Sequence, residues 1–455
     1  SVYPIFALFG STLWSARFGI VLVSLLALPG AFLLGKALNG RIAAIAAVLL
    51  LAIDPLYLAQ SQTLQAEAPS VAFEVLAVGL VYFWWEHPEG VSGTLLAALT
   101  GISASLSILS KFFGFACLVP IGLLLLARLW QIGRKVPPEK RLASLLPIGA
   151  GILAFALTTF VVLLPFLGAF HQMMQSVVSF HTDAGSLYKN GQTYSSITMS
   201  KITLDAQTLA KSRATQANSL LSLEHLLTSI LAIAAFYGTL VALLRGDWRV
   251  LPLIGWLLGS LYLLYQQVPL FHHHLVILIP PLASMAVIGI GGKLSPIAFG
   301  RAVQNRALVA KIAGVIALAL ILLAAGLNLQ GDLAYFHNQK IESASGQTKQ
   351  QEQIAAELRD LTTPGTLVIT DAQFTAGLAN RNTPPSLVDT SLVRIQTGYL
   401  TLQQLIAAAS SPQVHAVLFF TGRLHDPNVS AFHSWVAQHF HLKYRYAPGQ
   451  ELWAR

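Results

Sequence analysis

About ten runs of mostly apolar residues, each near the length of a bilayer crossing, dominate this sequence. A helix needs about twenty such residues to cross the hydrocarbon core, where unpaired backbone is too costly to persist. Of the 455 residues, 55% are hydrophobic and only 10% charged, whereas a soluble domain carries about a quarter charged residues. The chain therefore reads as a polytopic α-helical membrane protein of about ten spans. The runs lie near residues 13–35, 41–58, 68–85, 92–109, 112–130, 143–168, 223–244, 250–268, 274–291 and 307–328, the second ending at Asp54-Pro55.

The basic residues between these runs are not scattered. Lys36 and Arg41 follow the first; Arg128, Arg134, Lys135, Lys140 and Arg141 follow the fifth. Arg245 and Arg249 flank "GDW", and Lys293, Arg301, Arg306 and Lys311 surround "SPIAFG". If every run crosses, all four loops share one side, which the positive-inside rule makes the cytoplasm. The net charge of +9 is thus an orientation signal rather than a call for nucleic acid. The opposite short loops are nearly free of Lys and Arg apart from Lys111. The lone Cys117 rules out an intrachain disulfide and a cysteine zinc site. The sequence opens at Ser1 with no charged leader, so the expectation is a start further upstream or a leader removed.

The reading places a transmembrane domain at 1–329, with an outer loop at 169–222, and a small extracytoplasmic α/β domain at 330–455. In the tail, "TLVIT" (366–370), "AVLFF" (416–420) and "LKYRYA" (442–447) have strand character. "QEQIAAELRDL", "TLQQLIAAA" and "SAFHSWVAQHF" have the period of amphipathic helices. No Gly-rich phosphate loop, GxSxG or HExxH occurs. The cytoplasmic loops are too short for a nucleotide-sugar domain. A nucleotide cofactor is therefore not expected, and any chemistry belongs at the outer face of the plasma (inner) membrane.

Polar residues recur at that depth. Glu67 opens the third run, with Pro69 in the first helical turn. A carboxylate there serves the helix dipole or a site. Glu74 is two turns deeper, where an acid faces a cavity or partner, or sits neutral against a neighbouring helix. Lys111 ends the next run, on one face with Ser103 and Ser107. It is a snorkelling anchor, a partner for Glu67, or a cation for a lipid phosphate. His272, His273 and His274 stand just outside the ninth run; adjacent histidines cannot all ligate one metal from a regular helix. His181 and Asp183, in "SFHTDAG", are weaker candidates on the outer loop. Asp54 ends a helix where the dipole disfavours it, which asks for a cavity, a metal or solvent.

Taken in order, these features resemble the C-type membrane glycosyltransferases, in particular the branch of protein O-mannosyltransferases and lipid-linked aminoarabinose transferases. The stretches that carry the likeness are the early block from "YPIFALFG" to "DPLYLAQSQ", "QTLQAEAP", "SILSKFFG", "HHHLVILIPPLA" and "NRNTPPSLVDTSLVRIQTG". The resemblance implies an inverting transfer of a sugar from a polyprenyl phosphate to a protein, lipid or glycan acceptor. It implies Glu67 as an acid of the site, with Asp54 kept as a second catalytic candidate. Lys111, Gln62, His272, His273, His274, Glu74 and His181 would contact substrate, with a divalent metal left open. Members of the family begin with one more span and an outer loop bearing the first catalytic aspartate; the sequence starts after that point. Gln62 stands where the family has an arginine. A transporter or flippase, and a non-catalytic relative that holds the lipid-linked sugar, are the competing readings. The sequence shows no repeat of the kind transporters carry.

Overall fold

The structure, a computed structural model, describes residues 3–10, 12–291, 306–343 and 346–455. Lys293 and Arg301 of the fourth basic loop lie outside them. The chain is mostly helical and divides into two compact units. One holds residues 17–167 and 215–336; the other joins the segment ending at Ala16 with residues 168–214 and 337–455.

The first unit is the apolar bundle of a multi-pass membrane protein. Among the described residues, six helices are long and apolar enough to cross a membrane, or seven if Ala206–Leu227 and Ile230–Arg245, bent by 50°, form one span. The sequence suggests about ten, and the difference has local causes. Trp14–Ala52 covers the first two expected spans but reverses at Asn39–Gly40, where the backbone leaves helical geometry and Gly40 takes φ 81°. The reversal shows in contact: a Cβ on Gly35 would lie 2.5 Å from the Ala43 carbonyl, whereas eight residues of straight helix span about 12 Å. Glycine is the residue that takes this positive φ without strain, and Lys36 and Arg41 flank the turn. The expected spans 250–268 and 274–291 form shorter helices. Val250–Gln266 has 17 residues, and a 3-10 stretch, His272–Leu278, leads into Ile279–Val287.

Small residues let these helices approach closely, as packing without a hydrophobic driving force requires. A Cβ on Gly79 would lie 2.1 Å from the Gly30 carbonyl, one on Gly101 2.1 Å from that of Gly151, and one on Gly238 2.1 Å from that of Met285. Large side chains fill the remaining core, with Trp84, Trp256 and Tyr82 fully buried. Basic residues of the loops also cap helix ends. The Arg249 guanidinium donates to the Ala37 and Leu38 carbonyls (2.8 and 3.0 Å), just before the Asn39–Gly40 turn, and is held by Asp247. Arg245 does the same for Ile288 and Gly289. These carbonyls lack intrahelical donors, so a cation there satisfies both hydrogen bonding and the dipole.

The second unit carries a two-stranded hairpin, β1 (Gln192–Tyr194) with β2 (Lys201–Thr203), and a four-stranded sheet. That sheet has the order β3-β4-β6-β5, with β3 Leu367–Thr370, β4 Val414–Phe419, β5 His441–Ala447 and β6 Gln450–Ala454. β3 and β4 run parallel; β6 is antiparallel to β4 and to β5. The Asp371 carboxylate, after β3, accepts the backbone N–H groups of Phe420, Thr421, Arg423 and Leu424 and so fixes the loop after β4. Within this unit the loop Gly168–Ala214 is tied to the tail. Tyr399 donates to buried Asp183 (3.0 Å), which also takes the Ser196 N–H and hydroxyl, and Tyr188 donates to Gln396 (2.7 Å).

Gly79→Val is expected to lower the melting temperature of the detergent-solubilised protein, with a loss of about 1–3 kcal/mol from forced overpacking. Gly122→Ala, where a Cβ meets nothing within 4 Å, should be neutral or stabilising. Equal melting of both variants would contradict the close Gly30–Gly79 contact. In the sheet, burial works against the charge of Glu451, but hydrogen bonds from His433 and Trp453 and the nearby charges of His433 and Arg445 outweigh it and lower its pKa. A carboxyl depressed on folding contributes stability above its unfolded pKa and loses it as pH falls through the folded value. Glu451→Gln should therefore cost stability at neutral pH and flatten the acid limb below about pH 4.5, read by circular dichroism.

Candidate active site

Two hydroxyls set the geometry. Ser70, in the first turns of the Glu67–Glu86 helix, donates to the Ser107 carbonyl (3.0 Å), and Ser107 donates back to the Ser70 carbonyl (2.8 Å). This reciprocal clamp holds the start of one helix against the end of its antiparallel neighbour, Gly90–Ser110. Lys111 then leaves helical geometry (φ −160°, ψ 147°) and the chain turns so tightly that a Cβ on Gly114 would meet Ser107 at 2.4 Å. The result brings the Lys111 ammonium onto Oε1 of Glu67 in a direct ion pair.

Two histidines complete the cluster. His273 Nε2 lies 3.3 Å and His274 Nε2 3.7 Å from the same carboxylate oxygen. Phe113 seats both the lysine, 5.0 Å from the ring centroid, and His274, edge-on at 5.0 Å. Glu67 is 2% exposed, His274 is buried, and Lys111 and His273 retain some accessibility. An ionised carboxylate at that burial needs cationic or hydrogen-bonding company. Here it has a lysine, imidazoles and the positive end of its own helix.

Glu67, His273 and His274 each place one ligand atom within 4.8 Å of the others, a spacing that suits a metal ion. The donor chemistry argues otherwise. The Lys111 ammonium already occupies Oε1, and the Phe271 N–H donates to His274 Nδ1 (3.4 Å). A neutral ring that accepts at Nδ1 carries its proton on Nε2, the atom that faces Glu67 and would have to ligate. In this arrangement the cluster is built around an ammonium rather than a metal.

The other sequence candidates fall elsewhere. Asp54 does not end its helix unfavourably: its Oδ1 accepts the Leu56 and Tyr57 N–H groups (3.0 and 2.9 Å), so it is the N-cap of the next helix, Pro55–Ser61. This is the favourable end for a carboxylate. Gln62 closes that short helix and bonds back to the Leu58 carbonyl at 3.5 Å. Glu74 is fully buried, and its Oε1 accepts the Trp256 indole N–H at 2.5 Å, an interhelical bond apart from the cluster. His272 is exposed and lines a cavity with Asp54 and Gln60. His181 belongs to the second unit, next to Phe180. Sequence reasoning missed three residues of that cavity: Ser222, Asn328 and Tyr335. The spacing "NLQGDLAY" was the available signal, since Asn328, Asp332 and Tyr335 recur at one helical face.

Residues 5–182 match the family described as dolichyl-phosphate-mannose-protein mannosyltransferase. No curated protein matches the sequence. Among solved structures, ArnT from Cupriavidus metallidurans bound to undecaprenyl phosphate aligns with a TM-score of 0.54 and 12% identity, over 100% of this chain and 86% of that one; its apo state gives the same values. The archaeal oligosaccharyltransferase AglB from Archaeoglobus fulgidus, in complex with an inhibitory peptide and a dolichol-phosphate, aligns at 0.45 with 14% identity, over 97% and 63%. The chain thus carries the fold of the C-type membrane glycosyltransferases.

The Glu74–Trp256 bond gives a separable test. Glu74→Gln keeps an acceptor for the indole and should melt within about 1 kcal/mol of the parent. Glu74→Ala opens a cavity and strands the N–H, a cost of about 2–5 kcal/mol. A Glu74→Gln protein that melts normally but loses turnover would move Glu74 into the chemistry.

Proposed function

We propose that this protein is a membrane glycosyltransferase that takes a sugar from a polyprenyl-phosphate donor and passes it, with inversion, to an acceptor at the extracytoplasmic face of the plasma (inner) membrane. The observation that carries this reading is the convergence of Lys111, His273 and His274 on Glu67 within a membrane bundle of C-type glycosyltransferase fold. The ArnT structure that aligns with it holds undecaprenyl phosphate, which is the leaving group of such a transfer.

In the transfer, an acceptor oxygen attacks the anomeric carbon while the bond to the phosphate oxygen breaks. The electron pair leaves with the lipid phosphate, and the acceptor proton passes to a base. Negative charge grows on the phosphate, so fixed donors near it lower the barrier. Lys111 and His273, the accessible members of the cluster, supply them. Glu67 holds both in place and, once the ammonium turns to the phosphate, orients the acceptor. The basic loops stay on the cytoplasmic side and the tail domain outside. The acceptor is a protein, a lipid or a glycan. A transport reading would place Glu74 on a water path, and the indole bond of Trp256 does not favour it.

Transfer of radiolabelled sugar from purified polyprenyl-phosphate donors tests this. Glu67→Gln should reduce turnover by about a hundredfold or more, and Lys111→Ala should weaken donor binding more than it slows chemistry. Undiminished transfer by Glu67→Gln would remove the site. Because the lysine stands where an ion would sit, EDTA should leave the rate unchanged; loss with EDTA and recovery with zinc would show instead that Glu67, His273 and His274 hold a metal.

A further inference from the structure

Beside the ionic cluster, the first unit contains a cavity of about 470 Å³, walled by the Pro55–Ser61 helix, the His272–Leu278 turn, the end of the Ala206–Leu227 helix and the last long helix, Arg306–Ser343. Its volume falls in the roughly 300–1,000 Å³ range of small-molecule pockets. The wall is tightly built: a Cβ on Gly331 would lie 2.9 Å from the Pro55 ring. What marks it is polarity without partners. Gln60 is 8% exposed and lines the cavity, yet its Oε1 has no hydrogen-bond partner among the described residues. The Nδ2 of Asn328, also in the lining, is buried and unpartnered in the same way. One turn on from Asn328, Asp332 is buried with Oδ1 unpartnered, within electrostatic reach of Asp54. A buried polar atom left unbonded costs about 1–3 kcal/mol, so the two in the lining, Gln60 Oε1 and Asn328 Nδ2, point to an occupant that satisfies them.

From this we infer that the cavity is a sugar-ring subsite, which rests on the transfer reading above and assigns it a place for the ring. The lining offers acceptors at Gln60 and Asp54, donors at Asn328 and His272, hydroxyls at Ser222 and Tyr335, and apolar faces at Pro55 and Leu275. Alternating hydroxyl and C–H surfaces are what a pyranose or furanose presents. Among the described residues, the lining holds no lysine or arginine to meet an anion, so the phosphate stays with Lys111. A prenyl chain would leave Gln60 Oε1 and Asn328 Nδ2 unsatisfied. The two places are adjacent in the chain: His272 lines the cavity, while His273 and His274 turn to Glu67.

The test is binding, read without turnover. The full-length protein is held in a detergent with no sugar headgroup, and saturation-transfer NMR follows methyl glycosides of mannose, glucose and arabinose. At least one should show saturable contact. Gln60→Leu and Asn328→Leu should each weaken it about tenfold, the loss of one buried hydrogen bond. Ser222→Trp, which fills the void from its half-exposed rim, should abolish it. Binding of sugar-free polyprenyl phosphate should be unchanged in all three and weakened by Lys111→Ala. Displacement of the glycoside by the sugar-bearing donor but not by bare polyprenyl phosphate identifies the ring as the donor's. Glycosylation of the bound methyl glycoside identifies it as the acceptor's. No saturable contact by any glycoside, or contact that survives Ser222→Trp, overturns the subsite. Loss of transfer in the parent protein with glycoside binding intact would instead overturn the transfer reading alone.

Discussion

A buried carboxylate and the partly accessible ammonium beside it set the terms for this membrane bundle. Removing water from Glu67 costs several kcal/mol unless a counter-charge is in place. Lys111 is that counter-charge only because the Ser70–Ser107 clamp fixes the two helix ends in register. The histidines gather on the same oxygen. Without the clamp, the lysine would extend to the interface and the buried acid would lose its counter-charge. The positive charge that the transfer reading brings to a lipid phosphate is thus preorganised by an interaction made before any substrate arrives.

The bundle and the ionic cluster were legible in the sequence because both depend on residues that are rare in apolar runs. Glu67, Lys111 and the histidine triplet each break a hydrophobic stretch, and three of these elements meet in space. The turn at Asn39–Gly40 was marked by Lys36 and Arg41, so the first two spans were separable even though one helical stretch runs through both. What stayed hidden has physical reasons. Trp256 is indistinguishable from a packing residue until Glu74 is seen beside it. Asn328, Asp332 and Tyr335 look like the frayed end of a span, because a polar stripe at a helix terminus has the same composition as a loop. Asp54 was placed on a helix end of the wrong sign, since one residue decides whether it closes one helix or opens the next. In the tail, β6 is short and opens on Gln450 and Glu451, which dilutes the strand pattern.

On the transfer reading, the cluster and the cavity divide the demands of one reaction between two environments. A charged leaving group wants cations in a water-poor setting, where each is worth more. A neutral ring wants many weak, directional bonds and no net charge. Both draw on the His272–Leu278 turn, which gives His272 to the cavity and His273 and His274 to Glu67, so that on this reading one rigid element sets the spacing for a substrate whose two parts are joined by one bond.

The order of strands in the sheet, β3-β4-β6-β5, has a consequence for biosynthesis. The strand translated last of the four lies between two that emerge before it, and Asp371 waits some fifty residues for the amides that satisfy it. Until residue 454 has left the ribosome, β4 and β5 expose facing edges with nothing between them. Nascent chains of this lobe are therefore open to capture by any extended segment, and rapid completion or a chaperone would keep them single.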